Sequence, residues 1–294
     1  MAKIANFNPQ QVIKNPFARV LIFLIALSSI AYIDISAGRV MFDARSFYPF
    51  LALLIVPASL FLKIGWEMVS VLRRSCVPIG IFVCSLNLLS AVSGGVAPAD
   101  MLETNRLLYS PLALSLALSF LLSLIEPKQL NHFKLSRFQI LAILLLQSLT
   151  SLIGLLIVSS GQDLSLSILL NDKSLLLIFV VMLICVSHPK LSENTWIQNL
   201  HLASLATVLL CAILGICLYT SAVATQDATA LGGYIIVPII GFFYGSSLAI
   251  LTTTTGEPLF GSNNRDQFFD WHMVEAYAFY VLIIWPPLSI TEIL

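Results

Sequence analysis

Long apolar runs, each closed by a short polar cluster, follow one another along nearly the whole chain. A run of roughly 20 residues crosses about 30 Å of hydrocarbon at 1.5 Å per residue. About nine such runs can be drawn, at 18-36, 47-68, 77-97, 106-126, 138-159, 168-187, 201-223, 232-252 and 271-290. The pattern predicts an all-α integral membrane protein of about nine transmembrane helices. The longest interruption, Thr252 to Asp270, leaves no room for a globular domain between spans.

Three of the polar clusters resemble one another. "FDARSFYPFLALLIVPAS" begins at Phe42, "LETNRLLYSPLALSLALS" at Leu102 and "LNDKSLLLIFVVMLICVS" at Leu170, so each apolar run follows a tip carrying an acid and a base. These pairs are Asp43 with Arg45, Glu103 with Arg106, and Asp172 with Lys173. Cys84 and Pro111 fall on Cys211 and Pro238 with one common shift, which suggests a fourth unit. The expected organisation is a cytoplasmic N-terminus (1-17), a bundle (18-254) of four repeated hairpins (18-70, 77-127, 138-188 and 201-254), a cytoplasmic loop (255-270) and a C-terminal transmembrane helix (271-294). At each tip the acid would complement the positive end of a helix and meet its unpaired N–H groups, while the base pairs with it or reaches lipid headgroups.

Composition agrees with this picture. Of 294 residues, 58% are hydrophobic and 10% are charged, against about 25% charged in a soluble domain. Net charge is zero, so the totals give no reason to expect nucleic acid as a partner. Lys and Arg are uneven: Lys3, Lys14, Arg19, Lys63, Arg73, Arg74, Lys128, Lys134, Arg137, Lys190 and Arg265 share one side, leaving Arg39, Arg45, Arg106 and Lys173 for the other. The positive-inside rule then places the N-terminus in the cytoplasm and the C-terminus in the periplasm of a cell (inner) membrane. The first 20 residues lack a short apolar core with a small-residue cleavage site, so no removable signal peptide is expected.

Residues 25–63 resemble the first helical hairpin of the flagellar stator branch of the MotA/TolQ/ExbB proton-channel family. Phe42, Asp43 and Ser46 occupy the places of that family's outer tip, before a serine and an apolar helix. The family's small-residue pair, usually Gly-Gly, is Pro57-Ala58 here, and neither the family's large cytoplasmic domain nor its pore-lining threonine pattern is present. The resemblance implies a shared origin and a place in an energised membrane complex. It does not imply torque transmission, which needs the missing domain.

Candidate chemistry is sparse. A charge at mid-bilayer costs at least about 2.5–3.5 kcal/mol, so an intramembrane acid is a functional candidate. Asp34 sits near the outer end of the first run, where it could carry a proton or pair with Arg39. Glu275 and His272 are three apart on one face of the last run and could exchange a proton or share a metal, although Trp271 and Tyr277 mark an interfacial belt. Lys63 and Glu67 read as an interfacial pair beside Trp66. Asn87, Gln147 and the scattered Ser and Thr are expected to bond neighbouring helices. Thr252 to Thr255 can bond back onto their own helix, which Gly256 and Pro258 are expected to end.

Five cysteines lack CxxC spacing and four histidines are far apart, so neither a metal site nor a cofactor is expected. No Walker loop, nucleophile elbow or dinucleotide fingerprint occurs. Three classes of function fit. The first is a non-enzymatic scaffold or accessory subunit, whose partners are the lipid bilayer and other membrane-protein subunits. The second is a secondary transporter with a midplane site at the proline-interrupted runs holding Pro57, Pro111 and Pro238. The third is an intramembrane enzyme, which needs a converging polar site that the sequence does not display.

Overall fold

A computed structural model describes residues 16–36, 47–56, 69–94, 101–125, 137–160, 169–170, 172–187, 196–225 and 228–260. The described residues form helices α1 (Pro16–Ser36), α2 (Phe47–Val56), α3 (Val69–Gly94), α4 (Met101–Ile125), α5 (Arg137–Ser160), α6 (Asp172–Ser187), α7 (Trp196–Thr225) and α8 (Ala228–Phe260), with a short 3-10 turn at 169–170 before α6. Four of them, α1, α3, α7 and α8, contain windows long and apolar enough to cross a membrane. The described residues are all helical, and their apolar spans mark a membrane-embedded protein. The expected ninth run, 271-290, lies outside the described residues.

The apolar runs locate the helices well where their ends are plain. The fifth run, 138-159, became Arg137–Ser160. Several ends differ, and two of them have plain physical reasons. α3 begins at Val69, not at 77, and so takes in Arg73 and Arg74, which the run-length reading left in a loop. Arginine stems can lie along apolar neighbours while the guanidinium reaches outward, and Pro78 removes only one amide donor from a helix held on all sides. At the far end, Gly256 and Pro258 do not stop α8, which continues to Phe260. Pro258 stands in the last turn, where a missing backbone bond leaves little helix beyond it to destabilise.

Burial orders the helices from centre to rim. The spanning window of α3 is 89% buried and that of α8 72%, against 39% for α7 and 6% for α1. The two innermost spans are also the two least apolar. Lipid rewards hydrocarbon on an outer helix, whereas an inner helix can carry polar groups that the protein itself satisfies. Around this centre α4 and α8 pack on α3, α7 packs on α8, α6 on α7 and α8, α5 on α8 and α3, and α1 on α4. Phe50 and Leu53 of α2 join the same core.

Small residues let these helices approach. On α8, Gly241 and Gly245 share one face and meet Ser204, Val208 and Cys211 of α7, which are also on one face. A Cβ at Gly241 would collide with the Cys211 side chain, and one at Gly245 would lie 2.6 Å from Val208 Cγ2 and 3.1 Å from the Ser204 carbonyl. The pairings Cys211 with Gly241 and Val208 with Gly245 run in opposite senses, so α7 and α8 are antiparallel. Gly80 of α3 does the same at α4, where a Cβ would stand 2.6 Å from Ser115 Cβ and 3.0 Å from the Pro111 carbonyl. Phe82 of α3 stacks on Phe243 of α8 at a centroid distance of 4.8 Å and fills the space between the two inner helices.

Replacing Gly241 with leucine therefore forces α7 and α8 apart. The expected loss is about 1–3 kcal/mol or more, as for other overpacked cores, seen as a lower melting temperature in detergent. Ile213→Ala, on the exposed face of α7, should move it by less than about 0.5 kcal/mol.

Candidate functional site: the polar groups inside the bundle

A polar residue buried in a membrane protein must find its partner within the protein. Most Ser and Thr side chains here do so without leaving their own helix. Ser75 donates to Val71 O at 2.8 Å, Ser85 to Ile81 O at 2.7 Å, Ser115 to Leu112 O at 2.7 Å, Thr207 to Ala203 O at 2.8 Å and Ser246 to Phe242 O at 2.7 Å. Two of the expected return bonds from the threonine run are present, with Thr252 donating to Leu248 O and Thr254 to Ile250 O, each at 2.8 Å. The expectation that Ser and Thr would mainly bond neighbouring helices is thus corrected for these residues. A hydroxyl one turn above a carbonyl reaches it at no cost in helix separation, and the helix keeps its close contacts.

Among the described residues, the side chains of His201, Tyr244 and Gln147 cross between elements. His201 Nδ1 of α7 lies 2.8 Å from Thr252 Oγ1 of α8. Thr252 Oγ1 also reaches Leu248 O and Ala249 O of its own helix, so one hydroxyl ties the His201 ring of α7 to the preceding turn of α8. This contact continues the antiparallel register set by the glycine face. Tyr244 of α8 donates its hydroxyl to Leu169 O at 3.0 Å and so fixes the turn before α6. Gln147 of α5, fully buried, donates from Nε2 to Leu53 O of α2 at 3.4 Å and to Thr150 Oγ1 at 3.3 Å.

The residues singled out in the sequence are spread over the bundle. Asn87 of α3 is buried, as are Pro111 of α4 and Pro238 of α8. Asp34 is 3% exposed although α1 is otherwise the outermost span, so the acid faces the protein and not the lipid. Asp172 is the exposed first residue of α6, where it complements the helix dipole as expected of a tip acid. Lys173 lies in the same first turn of α6. Glu103 and Arg106 lie inside α4, not ahead of it, because that helix starts at Met101 and not at 106. Asp43, Arg45, His272 and Glu275 lie outside the described residues, as does Arg39.

Among the described residues no three His, Cys, Asp or Glu side chains come together in a way that could hold a metal ion. The five cysteines are free thiols, with Cys76, Cys84 and Cys211 buried. An open depression on α1 is lined by Leu24, Ile25, Ser28, Ser29, Tyr32 and Ile33, all from that one helix. The His201–Thr252 contact and the buried Arg74 were not anticipated from the sequence. The spacing of Gly241 and Gly245, four apart in an apolar run, was a readable signal of a close helix contact.

Replacing His201 with alanine or Thr252 with valine should each cost about 0.6 kcal/mol, and at most about 1.7, the range of hydrogen bonds between membrane helices. The double variant should lose little more than either single one when unfolding is followed in mixed micelles.

The chain matches no family model, and no curated protein or solved structure matches it.

Proposed function

We propose that the protein is a non-enzymatic scaffold or accessory subunit of a complex in the cell's inner membrane. The observation that supports this is the closed interior. Asn87, Gln147, Pro111 and Pro238, the residues a midplane transport site would use, are all buried, and Gln147 is spent on the α2–α5 contact. A transport site needs such groups to face water in at least one state.

The reading includes nine spans in four repeated hairpins, with the N-terminus in the cytoplasm and the C-terminus in the periplasm. The charge distribution along the sequence supports the orientation, and the recurring tips at Asp43, Glu103 and Asp172 support the repeat. A shared origin with the MotA/TolQ/ExbB proton channels belongs to the same proposal and rests on residues 25–63. Partner subunits would approach through apolar outer faces such as that of α1, and through the tips.

Secondary transport is the second reading, favoured by the meeting of proline-bearing helices at the centre. Gly80 of α3, two residues after Pro78, meets Ser115 and the Pro111 carbonyl of α4 across a close contact. Two measurements separate the readings. Purification of the tagged protein in mild detergent, followed by native mass determination, should yield partners in near-stoichiometric amounts; a monodisperse lone monomer overturns the subunit proposal. In membranes, Cys84 and Cys211 should resist a water-soluble maleimide, whereas labelling of either would give the transporter reading the lead.

A further inference from the structure

A helix carbonyl normally accepts the amide proton four residues ahead. For Leu53 that residue is Pro57, which has no amide proton. The Leu53 carbonyl is therefore left without its ordinary partner by covalent structure alone. It is also in the interior, since Leu53 is fully buried and belongs to the core that α2 shares with α3 and α8. Water does not satisfy a carbonyl there, and an unsatisfied one is costly.

The partner it does have is a side chain from another helix. Gln147 Nε2 stands 3.4 Å from Leu53 O, across 94 residues of sequence. Its second amide hydrogen goes to Thr150 Oγ1 at 3.3 Å, while Thr150 returns its own proton to the Gln147 carbonyl at 3.0 Å. Both Nε2 hydrogens thus have acceptors, and turning the amide over would set Oε1 against the Leu53 oxygen. Gln147 Oε1 has no partner and is itself buried, so this orientation is held at the expense of an unmet acceptor.

We propose that Gln147 supplies to α2 the hydrogen-bond donor that Pro57 withholds, and that this exchange docks α2 against α5 in a single register. A proline one residue beyond the described part of α2 and a buried glutamine in α5 are then two halves of one device. Leucine at 147 would suit the apolar surroundings better but would leave the Leu53 carbonyl bare. Thr150, one turn on, keeps the glutamine side chain aimed at α2.

The test is a double-mutant cycle on the full chain in mixed micelles, with Gln147→Met, which keeps length and apolar packing but removes the donor, and Pro57→Ala, which restores an amide proton. Gln147→Met alone should raise the unfolding equilibrium constant roughly three- to twentyfold, as expected for loss of one bond between membrane helices. In the Pro57→Ala background the same change should have less than half that effect on its logarithm. Equal effects in both backgrounds, or no effect of Gln147→Met in either, overturn the proposal. If Gln147→Met alone fails to fold, recovery of folding in the double variant supports the proposal, and failure to recover overturns it.

Discussion

Hydrocarbon offers no hydrogen bonds, and the rest of this structure is arranged around that one constraint. The chain meets it by two routes. Serines and threonines return their protons to carbonyls of the preceding turn, as Ser75, Ser85, Thr207 and Ser246 do. These residues are thereby made nearly apolar in outward character, and they pack like small hydrophobes. The second route is used where a local partner does not suffice, and it produces the contacts of Gln147 with Leu53, His201 with Thr252 and Tyr244 with Leu169. Each of these fixes one element against another in a register that apolar packing alone would leave less defined.

Close approach is the complementary requirement. Helices in lipid gain no hydrophobic free energy by touching, so contact has to come from dispersion over well-fitted surfaces. Gly241 and Gly245 bring α8 onto Ser204, Val208 and Cys211, and Gly80 brings α3 onto Ser115 and the carbonyl of Pro111. The Phe82–Phe243 stack fills what remains between the inner pair. With α3 held on nearly every side, its proline and its polar residues become tolerable, and this accounts for the most buried span being the least apolar.

Much of this architecture is legible in the sequence, though unequally. Runs of apolar residues locate α5 almost to the residue, because its polar flanks coincide with its ends. They fail at Val69–Val77 because Arg73 and Arg74 look like a loop when counted by charge, whereas a buried helix start can hold them. They fail at Thr255–Phe260 because a proline near a helix terminus costs less than one in its interior. Among candidate residues, burial of Asn87, Pro111 and Pro238 follows from their apolar neighbours. The partners of Gln147 and His201 do not, because each lies on a helix far away in sequence. Glycines four apart at 241 and 245 did carry a readable signal, but not the identity of the helix they meet.

The difference between proline and glycine at one position bears on what the bundle can do. Directly after the described part of α2 the sequence has Pro57-Ala58 and not a pair of glycines. A glycine pair thins a helix and leaves its backbone bonds intact, so that a neighbour can lie close and still slide. A proline removes a donor and leaves a carbonyl that has to be met from outside the helix. Gln147 meets it, and a directional bond between side chain and backbone is lost by a displacement of about an ångström. Sliding α2 past α5 would strand both the Leu53 carbonyl and the glutamine amide in a dry interior, whereas a sliding apolar contact strands nothing. The Leu53–Gln147 bond therefore holds α2 and α5 in position where a purely apolar contact would let them slide.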